Sequence, residues 1–192
     1  MCGVSMSSLL SDDALVAAFQ RGDAQSFNGL VYRYKNSLYQ YIMALVRDEG
    51  AAGDIFQEVF LNFYRRVGQY QAQGKLKNYL FTAARNRVLN VFRDRAKLTS
   101  LDEPDEDGSA HWHEELPGTD LQPLEGLERA ELSQRIRHAS LRLPAAQREV
   151  IYLKQYMTFK EVAELVGRPL GTVLSDHARA LQKMKKFLSE EA

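Results

Sequence analysis

The chain has 192 residues, 45% of them hydrophobic, and sets 25 basic side chains against 25 acidic ones. The hydrophobic fraction excludes a fully disordered chain, and the length suits one large domain or two small ones. Its apolar runs are too short to span a bilayer, no basic-then-apolar leader opens it, and one cysteine, Cys2, excludes a disulfide framework or a cysteine-based zinc site. A soluble, cytoplasmic protein without membrane insertion is expected, starting at Met1 or Met6. The zero net charge is segregated along the chain. Met1 to Leu98 holds 13 basic and 8 acidic residues, Thr99 to Glu131 holds 1 and 11, and Leu132 to Ala192 holds 11 and 6. Two basic blocks joined by an acidic connector point to two domains that share one polyanionic partner.

In chain order, residues 1–11 are expected to be a disordered N-terminus, and residues 12–97 an N-terminal helical domain. Asp12 and Asp13 open a short helix that runs to Phe19 and stops at Gly22. Asp23 caps a long helix with Phe27, Leu30, Val31, Tyr34, Leu38, Tyr41, Ile42 and Leu45 on one face. Phe56, Val59, Phe60, Phe63 and Val67 set a third helix, ending at Gly68. A fourth spans about Leu76 to Ala96, with Leu80, Ala84, Val88 and Val91 inward. Residues 98–123 are acidic, rich in Pro and Gly, and read as a flexible linker. Residues 124–192 then form a C-terminal domain. Leu132, Ile136, Ala139 and Leu143 mark a fifth helix, and Pro144 starts a sixth. Phe159 to Val166 and Pro169 to about Leu188 flank Gly167 as a helix-turn-helix. The fold class is therefore all-α: two small helical domains joined by an acidic flexible linker, the second containing the helix-turn-helix.

Four features carry chemistry. The last helix shows an apolar face of Val173, His177, Leu181, Met184 and Leu188, and an opposite face of Thr172, Ser175, Asp176, Arg179, Lys183 and Lys186. A polar, basic helix face of this kind suits the major groove of DNA. The window Lys75 to Lys97 holds seven basic residues and one acidic one, interleaved with Tyr79, Phe81 and Phe92. On its helix Asn78, Thr82, Arg85, Asn86, Leu89 and Arg93 share a face, so that cations meet phosphates, amides meet base edges and an aromatic stacks on an unpaired base. Asp54, Gln57, Glu58 and Leu61 share the outer face of the third helix, a carboxylate–amide patch with an exposed leucine that suits a basic protein partner. His111-Trp112-His113-Glu114 lies in the linker without a third fixed ligand, so no metal site is expected.

Taken in order, these residues resemble a bacterial extracytoplasmic-function sigma factor, the two-domain subunit that gives RNA polymerase its promoter specificity. The matching stretches are Gly22-Asp23 with Phe27 and Tyr32-Arg33-Tyr34, then Asp54 to Phe60, Tyr79-Leu80 with Ala84-Arg85-Asn86, Leu143-Pro144 with Arg148-Glu149-Val150, and Phe159 to Ala180. The resemblance implies that Asp54, Gln57, Glu58 and Leu61 bind core RNA polymerase. It implies that the loop Gln69 to Gly74 and the following helix melt and read the −10 element of promoter DNA, using Tyr70, Gln71, Lys75, Lys77, Asn78, Tyr79, Arg85, Asn86 and Arg93. Tyr79 stands where the family usually has tryptophan. The −35 element would fall to Arg168, Thr172, Ser175, Asp176, Arg179 and Lys183. Asp176 departs from the family's basic pattern and implies a weak or unusual −35 contact, one that Asp176→Arg would strengthen.

The resemblance further implies an anti-sigma factor as a partner, no cofactor and no catalytic activity of the chain's own. An autonomous helix-turn-helix regulator, binding duplex DNA without polymerase, is the alternative. A small helical enzyme finds no nucleophile–His–carboxylate set or phosphate loop to support it.

Overall fold

The computed structural model describes residues 10–71, 73–99 and 125–190, with the side chains of 97–99 and 125–130 left aside. Among these residues there are eight α-helices and no strand. The chain divides into two compact units, Met1–His111 and Trp112–Ala192. Apart from Leu98 and Thr99, the expected linker lies outside the described residues, and so does His111–Glu114.

The first unit holds α1 (Asp12–Gln20), α2 (Ala24–Val46), α3 (Glu49–Arg66), a single 3-10 turn (Val67–Gln69) and α4 (Leu76–Thr99). Helix starts follow from side-chain caps. The Ser11 hydroxyl accepts from the Ala14 amide, Asp23 from Gln25 and Asp48 from Ala51, each relieving an amide that the first helical turn leaves unpaired. Ser11, expected in a disordered terminus, is thus the cap of α1. The α2–α3 joint is made by Arg47 in the left-handed region at φ 56, its amide donating to the Met43 carbonyl at 2.9 Å. No glycine marks that break in the sequence.

Packing fixes the rest. Helix α2 meets α1, α3 and α4, and α3 meets α4. Leu15, Leu30, Leu38, Tyr41, Ile42, Ile55, Phe63, Leu76, Leu80 and Phe81 are all essentially solvent-free. Each stabilises the fold by about 1.5–3 kcal/mol in transfer terms. Phe19, Phe27, Phe60, Phe63 and Tyr64 form an aromatic stack between α1, α2 and α3, with ring centroids 5.1–6.4 Å apart. Phe81 lies within this core rather than beside the basic face, because α4 packs on α2 as well as on α3.

The second unit holds α5 (Glu125–Leu141), α6 (Ala145–Lys154), α7 (Phe159–Val166) and α8 (Leu170–Glu190). Helix α8 packs against all three others, and its core is Ala139, Leu143, Ala180 and Met184, flanked by Ile151, Phe187 and Leu188. Arg148 is buried and donates to the carbonyls of Leu141 at 3.2 Å and Leu143 at 3.0 Å. It thereby satisfies acceptors that the end of α5 would otherwise leave unpaired. Leu132 and Ile136, which mark this helix in the sequence, are 51% and 41% exposed, whereas Ala139 and Leu143 join the core with α8.

Candidate nucleic-acid interface

In the first unit the end of α3, the 3-10 turn and the start of α4 enclose an open cleft of about 860 Å³. Phe63, Tyr70 and Tyr79 meet there with ring centroids 5.6–5.7 Å apart. Around them stand Asn62, Asn78 and Asn86, with Arg66 and Lys75 at the margin. A smaller cleft of about 180 Å³ adjoins it, sharing Asn62, Ala83 and Asn86. The chemistry is an apolar stacking surface ringed by amides and cations, the combination that single-stranded nucleic acid requires. Burial, with Asp13, Asp12 and Tyr79 nearby, raises the Tyr70 phenol above its ordinary pKa. The Asn78 Oδ1 is shielded from solvent and has no hydrogen-bond partner among the described residues.

Of the residues expected to read the −10 element, Tyr70, Gln71, Lys75, Asn78, Tyr79 and Asn86 line this one cleft. Lys77, Arg85 and Arg93 do not, although Arg93 is exposed two turns further along α4. Sequence reasoning missed Asn62 and Arg66. Their spacing of one helical turn, on either side of the inward Phe63, was the available signal.

On α3, Asp54, Gln57 and Leu61 are exposed, Leu61 to 53%. Glu58 turns instead toward α4, where its carboxylate lies 2.5 Å from the Nε of Arg87. The outer patch therefore consists of three residues with Glu58 at its edge, engaged by a cation three turns into α4.

In the second unit Gly167 takes the left-handed conformation at φ 66, which an L side chain adopts only at a cost. The Arg168 amide then donates to the Ala163 carbonyl at 3.1 Å, closing α7. At its other end Thr158 and Glu161 form a reciprocal capping box. Val162, Val166 and Val173 are buried between α7 and α8, and this contact leaves Thr172, Ser175, Arg179 and Lys183 exposed along α8. Asp176 is not among them. It is only 8% exposed and forms an ion pair with Arg168, so the expectation that Asp176 faces a DNA groove is corrected, while the Arg168 side chain stays 25% exposed. The inward face of α8 is Val173, Asp176, Ala180 and Met184, and Leu181, expected inside, is 51% exposed. His177 is half-buried, its ring edge-on to Phe159 at 5.0 Å.

A helix-turn-helix with an outward polar and basic face, in a chain whose other unit holds an aromatic, amide-lined cleft, has the features of a DNA-binding protein. Family models match in both units: Sigma-70 region 2 over residues 30–98 and Sigma-70, region 4, over residues 133–184. The RNA polymerase sigma-H factor of Pseudomonas aeruginosa is 30% identical over 184 residues, covering 92% of this chain and 93% of that protein. The ECF RNA polymerase sigma-E factor of Escherichia coli K12 is 27% identical over 181 residues, covering 91% and 93%. The fold also matches a solved structure of the sigma factor RpoE with the anti-sigma factor NepR from Bartonella quintana, at a TM-score of 0.69, 22% identity and coverage of 86% and 98%.

The chain belongs to the sigma-70 family, as an extracytoplasmic-function sigma factor. It binds core RNA polymerase and directs promoter-specific transcription initiation. No helix among the described residues is long and apolar enough to cross a membrane.

Proposed function

We propose that the two units divide the promoter between them. The α3–α4 cleft takes single-stranded −10 DNA, with Tyr70 and Tyr79 stacking on an extruded base, Asn78 and Asn86 addressing its edge, and Gln71 and Lys75 at the margin. Lys77, Arg85 and Arg93 hold the phosphates alongside. Extruding a base costs a few kcal/mol of lost stacking, which these contacts must offset. The observation that carries the reading is the convergence of three aromatic rings and three asparagine amides in one open cleft.

The −35 duplex is read by Thr172, Ser175, Arg179 and Lys183 on the exposed face of α8. Arg168 supports that face through its pair with Asp176. Asp54, Gln57 and Leu61, with Glu58 at their edge, bind a basic surface of core polymerase. The chain acts in the cytoplasm, has no catalytic activity of its own, and is held inactive by an anti-sigma factor, as the Bartonella quintana relative is seen bound to one.

Run-off transcription with core polymerase over a library of randomised −10 and −35 elements tests the assignment. Tyr79→Ala and Asn78→Ala should flatten selection at one −10 position only, and Arg179→Ala should flatten it at −35. Selection unchanged by any of these variants would overturn the division of labour.

A further inference from the structure

The first helix touches the cleft without lining it, and it does so at both ends of the segment that follows α3. The Gln20 Nε2 donates to the Val67 carbonyl at 2.7 Å and to the Tyr70 carbonyl at 2.9 Å. Two carbonyl acceptors fix the amide's orientation, because only its NH2 group can serve them. At the other end of α1, in its first turn, the Asp13 carboxylate accepts from the Gly74 amide at 2.9 and 3.2 Å. Gly74 itself sits in the left-handed region at φ 67.

Helix α1 is in turn fixed to α2. Asp12 lies 2.5 Å from Arg33 and also accepts from the Tyr34 hydroxyl, while Arg33 donates to the Leu10 carbonyl at 2.6 Å. Leu15 and Val16 are buried beneath the helix. The Val67 and Tyr70 carbonyls and the Gly74 amide are therefore all held by one helix, across 47 to 61 residues of sequence.

We propose that Gln20 and Asp13 are positioning residues for base selection. They preset the Tyr70 backbone, and with it the Tyr70–Tyr79 stacking geometry, so that less ordering accompanies base capture. This rests on the reading of the cleft as the −10 site. Neither residue touches DNA in this scheme; Gln20 acts through the Val67 and Tyr70 carbonyls and Asp13 through the Gly74 amide.

The test measures relative binding of forked DNA carrying each of the four bases at the captured −10 position, with holoenzyme assembled from the full chain. Gln20→Glu has the same shape but cannot donate to carbonyls, and Asp13→Ala removes the acceptor. Each should lower preference for the best base by about fivefold, the worth of roughly one net hydrogen bond. Asp13→Asn keeps an acceptor oxygen and should stay near the parent protein. Equal weakening toward all four bases would mean that α1 only supports the fold, and would overturn the proposal. If Tyr79→Ala and Asn78→Ala abolish the preference while the α1 variants retain it, the positioning role alone falls. If the cleft variants also retain it, the reading of the cleft falls too.

Discussion

The carboxylate of Asp176, in the second turn of α8, receives the guanidinium of Arg168 from the turn before that helix. The pair joins the turn to the recognition helix from the inside, and it inverts the expectation drawn from the sequence alone. Asp176→Arg would set two cations against each other at a position 8% exposed. The expected loss is about 1–3 kcal/mol of stability, below the figure for a fully buried pair because the Arg168 side chain keeps some access to water. Urea denaturation of the full chain should show the lower midpoint, and −35 duplex affinity should fall. A gain in affinity with an unchanged midpoint would contradict the placement.

His177 gives the helix-turn-helix a pH dependence. Burial, together with the Lys154 charge, holds its pKa below the ordinary 6.5. The unfolded chain therefore takes up this proton at a higher pH than the folded one. The stability involved is complete above pH 6.5 and is lost as pH falls from there through the lower folded-state value, beyond which it levels off. Thermal melts between neutral and mildly acidic pH should show this slope, and His177→Gln should remove that component of it.

Arg148 acts as an internal cap for α5. Replacing it by methionine keeps much of the apolar stem but leaves the Leu141 and Leu143 carbonyls without their guanidinium donor. A loss of about 2 kcal/mol is expected. Arg148→Lys should recover only part of it, since one ammonium does not reproduce the planar fork. Full recovery by lysine in chemical denaturation would argue that charge alone matters.

Glu58 and Arg87 make the opposite kind of pair. Their side chains are 42% and 39% exposed, so Glu58→Gln should change stability by no more than about 0.5 kcal/mol. Asp54→Arg, on the outward patch, should weaken association with core polymerase by about tenfold through charge repulsion. Fluorescence anisotropy of labelled protein titrated with core enzyme separates the two effects, and equal affinities for parent and Asp54→Arg would remove that patch from the interface.

Much of this architecture was readable beforehand. Asp23 as a cap, Gly167 as the left-handed turn, and the apolar stripes of α2 and α3 all follow from local rules with a period of 3.6 residues. The inner face of α8 was misread for a reason of the same kind. Successive steps of four residues, from Val173 through His177 to Leu181, drift around the helix, whereas the buried set Val173, Asp176, Ala180 and Met184 follows the true period. A charged residue at the second of those positions hid the pattern.

What the sequence settled by itself was the helical class, the segregation of charge and the order of family motifs, because these depend on neighbours within a few residues. What only the tertiary structure decided was which polar groups remain available to a partner. Asp176 is taken by Arg168, Glu58 is drawn toward Arg87 while still partly exposed, and Gln20 and Asp13 hold backbone far along the chain. Such contacts follow no local period, since they arise only when packing brings separate helices within hydrogen-bond reach.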